Sequence, residues 1–253
     1  MRHALDRAAV LVAGALLAAG CGAQHTEPAP SREAAGPAPA SPPLEQERAL
    51  YSQSREELII RDFFGERRDG VYLDVGCAWA ERYSNTYYLE QHLGWTGIGV
   101  DALPDYAEEW ARKRPRSVFL NYLVTDRAET ERPFFRADLK GISQVESPVL
   151  GPAGDEVPSQ EIRVPSITLT QLLDQNGITS LDFLNIDIEG HEPQALVGFD
   201  IERFRPELVC IEAKPRNRQF IREYFAAHGY EQIERYLEHD QVNYYFALKA
   251  SGE

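Results

Sequence analysis

Cysteine is scarce: the 253-residue chain holds three, Cys21, Cys77 and Cys210. That excludes a disulfide-stapled scaffold and a zinc ribbon. Basic residues are outnumbered, 26 Lys and Arg against 40 Asp and Glu, for a net charge of −14. Non-specific nucleic-acid binding rests on clustered Lys and Arg, so this balance argues against such a partner and favours a cationic small ligand. The chain also lacks an apolar run long enough to span a bilayer. What remains, 43% hydrophobic and 26% charged residues, is the composition of an ordinary globular protein.

The longest apolar run, Ala8 to Ala19, follows Arg2 and Arg7 and ends at Gly20-Cys21. It has the shape of a secretory signal peptide. Leu17-Ala18-Ala19-Gly20-Cys21 resembles a bacterial lipoprotein signal, with Cys21 as the lipidated residue. Residues 22–48 are rich in Ala and Pro without apolar periodicity, which predicts a disordered tether. A folded domain is expected over 49–253, giving an extracytoplasmic, membrane-anchored lipoprotein; a misassigned start would make it cytoplasmic.

Within that domain strands and helices alternate. Ser54-Arg55-Glu56-Glu57 reads as a capping box before an apolar stripe of Leu58, Ile59, Ile60, Phe63 and Phe64. Strands are predicted at Val71–Val75, Thr96–Val100, Ser117–Val124, Leu181–Ile186 and Glu207–Ile211. Helices are predicted at Ser84–Leu93, Pro104–Arg112, after the Thr168-Leu169-Thr170-Gln171 box, from Pro193 through Leu196, and at Asn217–His228. Tyr230–Leu237 and Val242–Leu248 read as a closing antiparallel pair. Residues 127–163, interrupted by Pro133, Gly141, Pro148, Pro152 and Pro158, are expected to be irregular or short hairpins and to form a lid for the acceptor. The pattern implies an α/β fold with a doubly wound, mostly parallel sheet and ligands beyond the carboxyl ends of its strands.

Polar residues gather at those ends. Asp74 and Gly76 close the first strand, and Asp101 closes the second, where a carboxylate can hold both hydroxyls of a ribose. The three-glycine pyrophosphate fingerprint is missing, which argues against a nicotinamide cofactor. The fourth strand runs out into Asn185-Ile186-Asp187-Ile188-Glu189-Gly190-His191-Glu192. Glu192 reads equally as a helix cap or a catalytic group, and Glu212, ending the fifth strand, equally as a structural partner or a site residue. A carboxylate at a buried strand end, such as Asp187, needs a partner. Cys77 and Cys210 are expected to stay thiols.

Together these residues resemble the FkbM family of S-adenosylmethionine-dependent methyltransferases. The resemblance runs from Tyr51 to Phe246. It rests on Tyr51-Ser52-Gln53, Tyr72-Leu73-Asp74-Val75-Gly76, Ser84-Asn85-Thr86, Leu93-Gly94-Trp95-Thr96-Gly97 and, above all, the Asp187-x-Glu189-Gly190-x-Glu192 core. Two positions depart from the family pattern: Ala80 stands where Gly is frequent, and Asp101 where Glu is common. The resemblance implies a Rossmann-like class I methyltransferase fold and methyl transfer to a hydroxyl of a sugar, glycan or secondary metabolite. It implies that Asp74, Gly76 and Asp101 hold S-adenosylmethionine; Asp126 reads equally as a partner of the adenine amino group or as part of a surface turn with Arg127. Asp187, Glu189 and His191 then face the acceptor, with His191 the candidate base because its ordinary pKa is near neutral. No metal is expected. An exported compartment and this methyl donor do not sit easily together, so the rival expectation is an exported binding module that keeps the fold without catalysis.

Overall fold

The computed structural model describes residues 50–137, 143, 145, 149 and 154–249. The signal segment 1–21 with Cys21, and the tether 22–48, lie outside the described residues, as do most positions between Asp138 and Ala153.

Helix α1 (Glu56–Phe64) precedes β1 (Val71–Val75), and α2 (Tyr87–Leu93) precedes β2 (Thr96–Asp101). A 3-10 turn (Pro104–Tyr106) and α3 (Ala107–Lys113) lead into β3 (Ser117–Asn121). Strands β4 (Leu123–Val124), β5 (Glu129–Ala137) and β6 (Ser159–Ile167) come next, followed by α4 (Leu169–Gln175) and β7 (Phe183–Ile186). Helices α5 (Glu192–Val197) and α6 (Ile201–Phe204), β8 (Leu208–Glu212), α7 (Arg218–Ala227), β9 (Tyr230–Gln232) and β10 (Asn243–Leu248) complete the order.

Seven strands form one sheet in the order β3-β2-β1-β7-β8-β10-β9, and β4-β6-β5 form a second. Pairing is parallel from β3 to β8, while β10 runs antiparallel to β8 and β9 antiparallel to β10. This is the doubly wound, Rossmann-like plan, with strand order reversing between β1 and β7.

Side-chain alternation explains why both faces are covered. Leu73 and Val75 of β1, Leu184 and Ile186 of β7, and Val209 and Ile211 of β8 pack with residues of α4, α5, α6 and α7. The intervening Tyr72, Phe183, Leu208 and Cys210 pack on the other side with Ile59 and Ile60 of α1 and Leu89 and Leu93 of α2. Nearly continuous apolar runs are what strands buried on both faces require.

Several local expectations need correction. The box at Thr168 forms, its hydroxyl accepting from the Gln171 amide, but Ser54 does not cap α1. Ser52 Oγ accepts from Glu57 N (3.2 Å), and the Glu57 carboxylate accepts from Tyr51 N (2.9 Å), so the reciprocal contact is shifted outward. Helix α2 starts late because Ser84 Oγ accepts from the amides of Thr86 (3.3 Å) and Tyr87 (3.1 Å), holding Ser84–Thr86 in a turn. The run Ser117–Val124 is two strands in two sheets; Asn121 Nδ2 donates to the Asp101 and Ala102 carbonyls where the chain leaves the large sheet. Tyr230–Gln232 is shorter than expected and passes into a 3-10 turn (Glu234–Glu238).

Segment 127–163 is more regular than its prolines suggest. Its two ends form the antiparallel pair β5/β6. Pro133 lies on β5, an edge strand, where proline is tolerated. Pro165 sits opposite the register shift between Glu129 and Arg132, the bulge at which a proline is tolerated.

Candidate active site

Beyond the carboxyl ends of β1, β2 and β7, at the point where strand order reverses, lies a cleft enclosing about 590 Å³ of space, open solvent included. Gly76, Asp101, Asp187, Glu189 and His191 line it. Leu103, Tyr106, Leu123, Val124 and Phe134 supply an apolar wall, and Ser143 and Val145 of the 127–163 segment also reach it. The lining thus combines carboxylates with an apolar surface.

Gly76 has φ 80°. A Cβ there would lie 1.8 Å from the Asp187 carbonyl oxygen, so the close approach that glycine permits is between the ends of β1 and β7. Asp101 Oδ2 accepts from Ala78 N (3.1 Å) and Oδ1 from Leu103 N (2.8 Å). Burial raises its pKa to about 6 against those two bonds, and each oxygen keeps a lone pair. Ala78, which donates to Asp101, has φ 42°, a strained value for a residue with a side chain.

Asp74 is in the layer beneath the cleft. It is buried, accepting from Thr86 Oγ1 (2.7 Å) and Asn185 Nδ2 (2.8 Å), and is not part of the cleft lining. Burial shifts its pKa upward. Asp126 also stands outside the lining, bonded to Thr125 Oγ1 (3.0 Å) and paired with Arg132 (3.4 Å). Trp79 leaves the cleft open: its ring packs edge-on against Tyr83 and Tyr106. Ala80 is fully buried, its carbonyl accepting from Arg114 (2.9 Å).

The loop after β7 is held from below. Glu192 Oε1 accepts from Ile188 N (3.1 Å) and Gly190 N (3.0 Å), and its Oε2 accepts from Asn217 Nδ2 (3.1 Å). Glu192 therefore shapes the turn that presents Glu189 and His191. Glu189 itself sits at φ 58°, again strained, and its Oε2 pairs with Lys214 Nζ at 2.5 Å. Gly190, at φ 99°, leaves room for the Arg216 guanidinium, whose Nη2 would be 2.3 Å from a Cβ.

Asp187 is exposed on the cleft side, yet the protein packed around it desolvates its carboxyl and pushes the pKa upward, with Glu189 and Glu192 adding to the shift and Lys214 opposing. Glu212 is shifted the same way by burial and then by Asp187. His191 moves the other way, to about 4, through burial and then the Arg132 charge. Its Nε2 lies 2.9 Å from Thr125 Oγ1, so a neutral imidazole ties the β7 loop to the start of the small sheet. Sequence reasoning missed Lys214; the available signal was its place two residues past the end of β8. Cys77 and Cys210 are buried, unpaired thiols. Among the described residues no cluster of His, Cys, Asp and Glu is arranged to hold a metal ion.

Comparison with known proteins adds one sequence-level finding: the family described as Methyltransferase FkbM domain matches residues 67–238. No curated protein matches the chain. Among solved structures, a TehB-like S-adenosylmethionine-dependent methyltransferase from Corynebacterium glutamicum is similar at 14% identity and TM-score 0.42, over 78% of this chain and 89% of that one. A precorrin-6y C5,15-methyltransferase from Geobacter metallireducens is similar at 12% identity and TM-score 0.39, over 70% of each chain.

Proposed function

This chain belongs to the FkbM family of methyltransferases, with S-adenosylmethionine as its cofactor, and on that premise we propose that it methylates a hydroxyl of a sugar, glycan or secondary metabolite. The observation that carries the reading is the cleft at the strand-order reversal, in which Asp101, Asp187 and Glu189 converge. Its residues suit the cofactor. Asp101 retains free lone pairs on both oxygens for vicinal ribose hydroxyls. The wall of Leu103, Tyr106 and Phe134 offers an apolar surface for adenine, and the carboxylates favour a cation. Gly76 lines the same cleft, whereas Asp74 supports it from beneath.

When bound, the cofactor supplies an electrophilic methyl group on a sulfonium. The chain must align an acceptor oxygen in line with that methyl, exclude water and take up one proton. Asp187 is the group we assign to the proton. It lines the cleft, and its raised pKa matches a base working near neutrality. Glu189, fixed by Lys214, orients the acceptor. With its pKa lowered to about 4, His191 is a weak proton acceptor, and we assign it to holding the small sheet against the cleft through Thr125.

Isothermal titration of the full chain with S-adenosylmethionine and S-adenosylhomocysteine tests the reading. One saturable site for each is expected; absence of heat at millimolar ligand overturns it in favour of a non-catalytic binding module. Transfer of a labelled methyl group to a panel of polyols and glycans then tests the choice of oxygen.

The sequence further supports an extracytoplasmic lipoprotein anchored through Cys21. Cys21→Ser is expected to release the chain from membrane fractions, and continued membrane association refutes lipidation there.

A further inference from the structure

The parallel register pairs Ile186 of β7 with Ile211 of β8, so Asp187 and Glu212 are equivalent next residues on adjacent strands. Asp187 lines the cleft; Glu212 does not. Glu212 is only 9% exposed, and its Oε2 is buried without a hydrogen-bond partner.

The surroundings do not supply what that oxygen lacks. Lys214 is the only side-chain cation at ion-pair distance from Glu189 or Glu212 among the described residues. It sits 2.5 Å from Glu189 Oε2 and 3.7 Å from Glu212 Oε2, within hydrogen-bond reach of the first alone. Glu192 adds a further buried carboxyl, already bonded to two loop amides and Asn217. On β10, Asn243 lies opposite Glu212, but its amide donates to Asp240 (2.9 Å) and Glu56 (3.4 Å). Glu56 of α1 adds negative charge near Asp187. Arg216 is exposed and lies over Gly190. A buried carboxylate oxygen with no donor and several acidic neighbours is strongly disfavoured; a proton on it resolves the conflict.

We propose that Asp187 and Glu212 form a carboxyl pair that shares a proton at neutral pH, with Glu212 the positioning residue that keeps Asp187 poised as the base. The inference rests on the methyl-transfer reading for its purpose, but not for its geometry. Burial pushes Glu212 upward and the neighbouring charge of Asp187 pushes it further, as expected for two carboxyls that resist ionising together. In the reaction the pair starts with one proton and one negative charge. The acceptor O–H proton passes to Asp187 as the oxygen lone pair forms the O–CH₃ bond. The C–S electrons return to sulfur, leaving a neutral thioether. The pair ends neutral with two protons, and one leaves to solvent.

Carbon-13 NMR of the carboxyl groups, recorded against pH on the full chain and on Glu212→Gln, Glu212→Asp and Asp187→Asn, tests this without any acceptor. Wild type is expected to lose two protons in separate steps, the last well above the ordinary carboxylate range near pH 4. In Glu212→Gln the Asp187 midpoint should fall by about one unit or more, and Glu212→Asp should restore it. A role confined to packing leaves that midpoint in place. Both carboxyls ionised below about pH 6 in wild type, or an Asp187 midpoint unmoved by Glu212→Gln, overturns the pair. If Glu212→Gln does not fold, the wild-type titration still decides. S-adenosylhomocysteine titrated into the same samples separates the two claims. Binding alongside two ordinary carboxylates sinks the pair alone; a shared proton without binding sinks the transfer reading alone.

Discussion

Two ionic assemblies sit close to the cleft, one fully buried and one that opens onto it at the exposed Asp187. Arg114 pairs with Glu90 at 2.7 Å, both side chains fully buried. Its remaining donors reach the Ala80 carbonyl (2.9 Å), Ser84 Oγ (3.2 Å), Thr86 Oγ1 (2.9 Å) and the Tyr72 hydroxyl (2.5 Å). Glu90 in turn accepts from Arg116 N (2.9 Å) and Ser117 Oγ (2.6 Å). Around Lys214, by contrast, lie the carboxyls of Asp187, Glu189, Glu192 and Glu212; among the described residues Lys214 is the one side-chain cation at ion-pair distance from Glu189 or Glu212, and Glu212 Oε2 has no donor. The first assembly is satisfied and pins the turn between β1 and α2. The second is left short of positive charge at the mouth of a cleft. A folded protein tolerates such a deficit where a cationic ligand or a proton completes it.

The most damaging way to break the contrast is Arg114→Met. Leaving Glu90 buried and unpaired should lower stability by about 3–5 kcal/mol, read from urea unfolding; a loss below about 1 kcal/mol would mean the hub is dispensable. Asp187→Asn should do the opposite. It removes an uncompensated carboxyl, so unfolding should stay within about 1 kcal/mol of wild type or become harder. Methyl transfer to an identified acceptor should nevertheless slow by about 10²–10⁴-fold; an unchanged rate removes Asp187 as the base.

Asp101→Ala tests the side of the cleft shared by neither assembly. Loss of hydrogen bonds to a charged group should weaken S-adenosylmethionine binding by about tenfold or more, measured by titration calorimetry, and unchanged affinity removes the ribose assignment. The smallest effect is pH dependence. Carboxyls whose pKa is raised by folding hold protons more tightly in the native chain than in the unfolded one. Their stabilising contribution is therefore whole below about pH 4 and disappears as pH climbs through their native range. The melting temperature of wild type should fall between about pH 5 and 9 more steeply than that of Glu212→Gln; parallel curves would place the strain elsewhere.

How much of the site was legible follows from where each residue stands along its strand. Asp101, Asp187, Glu189 and His191 lie at or just past a strand end, and in a doubly wound sheet such positions face the ligand crevice. Asp74 lies inside β1 and shares the face of Tyr72, whose ring packs beside α2. The alternation of that strand, applied to the acid itself, was enough to turn it away from the cleft. Asp126 follows β4, whose departure into a second sheet no local pattern announced. Glu212 and Lys214 meet the β7 loop only through the parallel register of β7 and β8, a pairing some twenty-five residues apart in the chain.

The order of amino acids by itself determined the alternation of apolar strands and amphipathic helices, the parallel sheet that follows from it, and the carboxylates at its strand ends. These are properties of a short stretch of chain, written in periodicity and in the chemistry of single residues. Tertiary structure alone decided which of those carboxylates share a cleft, which receive enough donors, and which are left competing for one lysine. Burial and charge pairing depend on distances between segments remote in sequence, and those distances exist only once the sheet has assembled.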